Sequence, residues 1–405
     1  MTKLIINSLL DTDFYKVTMS CCVYNQIKPC SVEYDFKCRN PGIDLIPFKD
    51  EIESEIDHLC TLRFQPDEID YLRGIKFIDS AFLDVLRLIQ LNRDHVFIHE
   101  QDGLLKISIK GPWLLAIWFE VPVLAIVNEV YFRNIDPDPD MHGAMERLRN
   151  KIDLVKEINE NENVISSFKF ADFGTRRRFS FWWQDRVVKT LASNLPPTQF
   201  VGTSNVLLAK RYKIKSIGTM AHELICGSQA QGVALANSQK YMLEKWADEF
   251  RGSLGSALSD TISMDAFLVD FDLDLSHRFD SVRVDSGDPV ESGEKLVAHY
   301  QRLGIDPMTK TVIFSDNLTF PKARELWEHF KGCIKVSFGI GTNLMNDIPG
   351  CTPLNIVMKM TKCNGQPVAK LSDSPGKSMC TDTIYLAYLK SVFDERAKKF
   401  NEIRD

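Results

Sequence analysis

Two rhythms of apolar and polar positions divide this chain. Over residues 31–39 the pattern alternates, with Val32, Tyr34, Phe36 and Cys38 on one face and Glu33, Asp35, Lys37 and Arg39 on the other. A period of two is that of a half-buried strand. Before it, Asp11, Thr12 and Asp13 are N-cap candidates for a helix over 9–26, with Phe14, Tyr15, Val17 and Met19 at helical spacing and Tyr15 in the first turn. Helical patterns follow over 46–60 and 66–89, and residues 95–109 read as a hairpin turning at Asp102-Gly103. Pro112 and Pro122 each open an apolar helix, and a polar helix spans 141–159. This first part predicts an α+β layer built on an antiparallel sheet.

From Phe168 the rhythm changes to short apolar strands, each ending in a polar cluster and followed by a helical pattern. The strand ends are Phe170-Ala-Asp-Phe-Gly-Thr, Phe200-Val-Gly-Thr-Ser, Ile217-Gly-Thr-Met-Ala-His, Ala257-Leu-Ser-Asp, Val282-Arg-Val-Asp, Val312-Ile-Phe-Ser-Asp and Val336-Ser-Phe-Gly-Ile-Gly-Thr. Seven βα units in series imply a parallel sheet, and long amphipathic patterns such as 228–250 and 289–303 favour closure into a barrel. Barrel enzymes collect their chemistry at the carboxyl ends of the strands. Here that edge carries Asp172, Arg176, Thr203, Ser204, Thr219, His222, Asp260, Arg283, Asp285, Asp316, Gly339 and Gly341. After Pro353 the alternation returns over 355–360 and 368–371 around a Cys363-Asn364-Gly365 turn, and a closing helix is expected. The fold class expected is an irregular TIM-like α/β barrel, residues 136–352, with an α+β open-faced sandwich formed by 1–135 and rejoined by the tail 353–405.

Composition narrows the function. With 405 residues, 44% hydrophobic and 26% charged, the chain has the make-up of an ordinary globular protein. A net charge of -6 argues against a general nucleic-acid-binding surface, so any phosphate chemistry needs a local basic pocket. The ten cysteines contain no C-x-x-C pair, which leaves reduced thiols in a cytoplasmic protein as the expectation. Residues 1–10 carry no signal-peptide pattern, and the most apolar stretch, 113–127, is interrupted by Glu120 and Pro122.

Candidate chemistry concentrates where strands end. In Val282-Arg-Val-Asp-Ser-Gly-Asp-Pro, Arg283 and Asp285 are site candidates, while Asp288 and Pro289 suit the cap and first turn of the next helix. An ordinary strand-to-helix loop would look similar. Among Arg176, Arg177 and Arg178, the first directly follows a Gly-Thr turn and suits a bidentate contact to an anion; the other two read as a solvated face. Gly339, Gly341 and Thr342 expose backbone N–H groups where barrels hold phosphate, or serve only a tight turn. His222 lacks metal-ligand spacing, and a nucleophilic or acid–base role oriented by Asp260 remains open. The tail segment 370–377 brings Lys370 and Lys377 around a turn that on its own reads as an exposed loop.

Taken in order, Leu10-Asp-Thr-Asp-Phe-Tyr-Lys16, Asp172-Phe-Gly-Thr-Arg-Arg-Arg178, Val201-Gly-Thr-Ser-Asn205, Gly218-Thr-Met-Ala-His-Glu223, Arg283-Val-Asp-Ser-Gly-Asp-Pro289, Phe338-Gly-Ile-Gly-Thr342 and Lys370-Leu-Ser-Asp-Ser-Pro-Gly-Lys377 resemble the bacterial nicotinate phosphoribosyltransferases, a type II phosphoribosyltransferase family. The resemblance implies transfer of a phosphoribosyl group from phosphoribosyl pyrophosphate to nicotinate, with Mg²⁺ accompanying the pyrophosphate or ATP, and ATP hydrolysed as co-substrate. It implies a homodimer in which Tyr15 of the second subunit stacks on the pyridine ring opposite Phe173. It further implies that Arg176 and Arg283 hold the carboxylate and nearby phosphates, Asp285 the ribose hydroxyls, and Gly339 with Gly341 the 5'-phosphate. Thr203, Ser204, Asp316, Thr342, Lys370 and Lys377 join them as substrate contacts. His222 is implied as the residue phosphorylated by ATP, with Asp260 as its partner or that of a hydrated metal. Relatives that take nicotinamide look to carry an aspartate at position 204. Such a carboxylate about 4 Å from nicotinate's own would repel it by about 4 kcal/mol at an effective dielectric of about 20, so the neutral Ser204 points to nicotinate.

Overall fold

The computed structural model describes residues 4–160, 162, 167–373, 379–380 and 382–404. Among them eleven strands, numbered in chain order, are β1 (Ser31–Cys38), β2 (Val96–Gln101), β3 (Leu104–Pro112), β4 (Phe170–Asp172), β5 (Phe200–Thr203), β6 (Ser256–Leu258), β7 (Ser281–Val284), β8 (Thr311–Phe314), β9 (Lys335–Ile340), β10 (Ile356–Cys363) and β11 (Gln366–Pro367). They form two sheets, one in the order β11-β10-β1-β3-β2 and one in the order β5-β4-β9-β8-β7-β6. The α/β class read from the sequence is the one observed.

The first sheet is antiparallel, and its centre is the alternating strand β1, which buries Val32, Tyr34 and Phe36. Its neighbour β3 is returned from β2 by Asp102 and Gly103, with φ of 55° and 66°, the pair of left-handed residues that a two-residue hairpin turn requires. On the other side β1 pairs with β10, Val32 opposite Cys363 and Cys38 opposite Ile356. So residues more than 300 positions apart in the chain close one sheet.

The second sheet is parallel and curls toward closure. Six strands form it, one fewer than the seven expected. The segment read as a strand ending at Ile217 makes only a bridge, Thr203 to Ser216, since Gly218 at φ 151° and the residues around it leave strand geometry. It still spans the gap between the outermost strands: Ile217 N–H donates to Thr203 O at 2.9 Å and Thr219 Oγ1 donates to Ser256 O at 3.1 Å. Inside, Phe168 stacks on Phe338 with centroids 4.9 Å apart, and Phe170 meets Phe320 edge-on at 5.1 Å. Such aromatic pairs contribute about 0.5–1.5 kcal/mol each beyond their area burial.

Several element boundaries differ from the pattern. The 9–26 helix starts late, at Phe14–Gln26, because Asp11 and Asp13 are drawn into side-chain bonds elsewhere. The 66–89 pattern is two helices, Pro66–Arg73 and Ser80–Leu88, with Gly74 closing the first. The 228–250 pattern begins as a helix only at Ser238–Phe250; the residues before it belong to the end of His222–Ser228 and a connecting loop. Residues 368–371 are not a strand, since Ala369 and Leu371 bond to Gln229 and Thr261 instead of a sheet partner. The apolar stretch from 113 extends to 135, long enough by composition to cross a membrane, and 83% of its most apolar 18-residue window is buried inside the protein.

Candidate active site

The carboxyl ends of the parallel strands open into a cavity of about 560 Å³. Its wall holds Tyr15, Phe173, Arg176, Ser204, His222, Arg283, Asp285, Asp316, Gly341, Thr342 and Lys370, eleven residues from eight separate stretches of sequence. Lys377 lies outside the described residues.

Two rings and two arginines shape one part of it. Phe173 follows β4, and its ring packs where a side chain at residue 339 would stand: a Cβ added to Gly339 would meet that ring at 2.2 Å. Gly339 is thus a seat for Phe173, and of the two glycines it is Gly341 that stands on the cavity wall. Tyr15 of the same chain lines the cavity from the second position of Phe14–Gln26. Its hydroxyl is buried without a hydrogen-bond partner, as is Nε of Arg283. A buried donor left unpaired costs about 1–3 kcal/mol, a penalty that a ligand can remove. Arg176 lies 5.8 Å from the Tyr15 ring centre and 3.5 Å from Glu120.

Ser204 gives a different result from the expected one. Its hydroxyl donates to Asp13 Oδ1 at 2.6 Å, and Asp13 itself lines the cavity. A carboxylate is therefore present beside position 204 after all. Burial pushes the Asp13 carboxyl up, while Arg176, 3.6 Å away, opposes the rise. Position 204 is therefore not free of carboxylate charge, and the cation set against Asp13 is Arg176.

A second part is built on His222, the first residue of His222–Ser228. Its Nε2 lies 3.1 Å from Asp260 Oδ1, 2.8 Å from Lys370 Nζ and 3.8 Å from Asp285 Oδ2. Asp260 sits beneath, 1% exposed, taking Lys370 Nζ on Oδ2 at 2.5 Å and the Ser286 hydroxyl. Burial, and then the Lys370 charge, lower the His222 pKa to about 4. The imidazole is neutral near pH 7 and can act as a nucleophile. Nε2 can donate to Asp260 or accept from the Lys370 ammonium, and the tautomer decides which; in the form that donates to Asp260, the lone pair is left on Nδ1. His222, Asp260 and Asp285 offer ligand atoms within 4.8 Å of one another, yet Lys370 already supplies the cation between the first two. A hydrated Mg²⁺, which prefers oxygen ligands, fits Asp285, whose Oδ1 is fixed by the Ser315 hydroxyl at 2.7 Å.

Of the remaining candidates, several are held inside the scaffold. Thr203 is buried, donating to Asp172 Oδ2 at 2.6 Å, and Asp172 also accepts from Gly174 N–H and Gln184. Burial raises Asp172 to about 6. Asp288 caps Pro289–Arg302 through Val290 and Glu291 N–H, as its position suggested. Arg177 and Arg178 are not a solvated face. Arg178 is fully buried in a two-bond pair with Asp11, at 2.5 and 2.8 Å. Arg177 lines the cavity, and burial together with Arg176 and Arg39 lowers it to about 10. Sequence reasoning also missed Arg39, at the end of β1, and Lys359, on β10, both on the wall. Their alternation with apolar neighbours was the available signal, and it marks a polar face without saying what that face meets. In total the wall sets six lysine and arginine side chains against four aspartates.

A cavity with this excess of cations inside a chain of net charge -6 is built for an anionic substrate. Residues 168–397 match the nicotinate phosphoribosyltransferase (NAPRTase) family, and residues 10–128 match the NAPRTase N-terminal domain. The chain belongs to the nicotinate phosphoribosyltransferase family. It is 53% identical over 405 residues to the nicotinate phosphoribosyltransferase of Burkholderia cenocepacia, covering 98% of this chain and 100% of that one. It is 54% identical over 393 residues to that of Cupriavidus necator, covering 96% and 98%. The crystal structure of nicotinate phosphoribosyltransferase from Vibrio cholerae superposes with a TM-score of 0.92 at 39% identity, over 100% of this chain and 99% of that one. The one from Porphyromonas gingivalis gives 0.89 at 34% identity, over 96% and 100%. Family membership thus agrees with the resemblance carried by the strand-end motifs.

Proposed function

We propose that this chain joins nicotinate to the ribose of phosphoribosyl pyrophosphate, giving nicotinate mononucleotide and pyrophosphate. The observation that carries the reading is a cavity wall on which Arg176 and Arg283 stand together with the rings of Phe173 and Tyr15. A flat aromatic acid satisfies both requirements, its ring between the aromatic side chains and its carboxylate on Arg283 and Arg176. The pyridine nitrogen forms a bond to the ribose carbon as the bond from that carbon to the pyrophosphate oxygen breaks. Positive charge grows on the sugar, and Asp285, whose carboxyl burial pushes up but Arg283 and Lys370 pull below the usual carboxylate value, is placed to stabilise it. Mg²⁺ supplies charge neutralisation for the departing pyrophosphate. Gly341, Thr342, Arg39, Arg177 and Lys359 are read as the contacts to the phosphates, with Asp316 as a substrate contact beside Arg177.

ATP enters the proposal through His222. Nδ1 attacks the terminal phosphorus of ATP, ADP leaves, and water later returns the histidine and phosphate. Asp260 keeps the ring in the reactive tautomer. A cytoplasmic homodimer belongs to the same proposal. The test is incubation with nicotinate, phosphoribosyl pyrophosphate, ATP and Mg²⁺: nicotinate mononucleotide and pyrophosphate are expected in equal amounts, and absence of both overturns the reading.

A further inference from the structure

Behind the cavity wall lies a buried set of charges that the proposed reaction does not use. Lys16 is fully buried, and its ammonium sits between Glu120 Oε2, at 2.6 Å, and the carboxylate of Glu223. Glu223 Oε1 also accepts from the Tyr34 hydroxyl at 3.2 Å and the Trp113 indole N–H at 3.4 Å. Glu120 Oε1 accepts from Arg176 at 3.5 Å. Hydrocarbon side chains can fill such a space at least as stably as ions, so stability alone is a poor account of it.

The connections are more telling. Lys16 follows Tyr15 on Phe14–Gln26, Glu223 follows His222 on His222–Ser228, and Glu120 opens Glu120–Ile135 while holding Arg176. One ammonium therefore ties together the elements carrying the aromatic wall, an anion-binding arginine and the histidine. Arg176 divides its charge between Glu120 and Asp13. An anion that draws Arg176 away leaves Glu120 more dependent on Lys16, and whatever Lys16 gives to Glu120 is withdrawn from Glu223, the residue bonded to His222.

We propose that Lys16, Glu120 and Glu223 are positioning residues that couple the nicotinate end of the cavity to His222. The inference rests on the function proposed above and adds a physical link between binding of the base and use of ATP. The double variant Lys16→Met/Glu223→Gln removes one charge of each sign, so no unpaired charge is left buried. We expect a nicotinate KM raised about tenfold, a phosphoribosyl pyrophosphate KM within about twofold of wild type, and about threefold more ATP hydrolysed per mononucleotide formed. Glu120→Gln, which keeps the shape and frees Arg176 of a competing carboxylate, is expected to lower the nicotinate KM about threefold and serves if the double variant does not fold. A fall in melting temperature with unchanged nicotinate KM and unchanged ATP per product means that the cluster is only structural, and overturns the inference alone. A wild-type protein that makes no mononucleotide overturns the proposed function and the inference together.

Discussion

The two sheets furnish one cavity in different ways. In the parallel sheet each functional side chain stands at or just past a strand's end, as with Arg283 and Asp285 at β7 and Phe173 after β4. The antiparallel sheet contributes from its polar face, through Arg39 just past β1 and Lys359 within β10. A strand end that turns polar announces a site, because the edge of a barrel is where loops gather. A polar position in an alternating strand announces only that it avoids the core. The parallel sheet is therefore read as the place of chemistry, and the antiparallel sheet as the source of extra charge for the phosphates.

Replacing one residue in each region breaks that division at different depths. His222→Ala is expected to have the largest effect, abolishing ATP stimulation while leaving some ATP-independent mononucleotide formation. ATP coupling that survives in this variant would refute the phosphohistidine. The same group sets a pH limit: because His222 titrates at about 4, stimulation is expected to persist down to that region and fail below it, where the ring gains a proton and loses its lone pair. Smaller effects are expected from Arg39→Ala and Lys359→Ala. Each should raise the KM for phosphoribosyl pyrophosphate about tenfold, roughly the loss of one charge-assisted contact, while moving the nicotinate KM less than about twofold. An equal rise in both constants would assign these cations to the base end and erase the distinction between the sheets.

How far the sequence could be read follows the same physics. Residues 176–178 are three arginines in a row with three fates: Arg176 at the ring wall, Arg177 on the cavity and Arg178 buried against Asp11. Local pattern could not separate them, because the partner of Arg178 is 167 residues away. Distance in sequence also hid Asp13, which meets Ser204 across 191 residues and changes the electrostatics that position 204 alone suggested. Lys370 read as part of an exposed loop, yet Asp260 draws it into the interior. By contrast, the Asp288 cap, the Asp102-Gly103 hairpin and the Met141–Asn159 helix depend on neighbours within a few residues and were legible as they stand.

Asp13 also makes substrate preference the sharpest test of the account. If the paired arginines outweigh that carboxylate, the acid must be preferred to the amide. The measurement is the ratio of kcat/KM for nicotinate to that for nicotinamide under the same conditions. Each charge-assisted contact is worth about 1.5–3 kcal/mol, so a ratio of about a hundred or more is expected. Equal or reversed preference would contradict it.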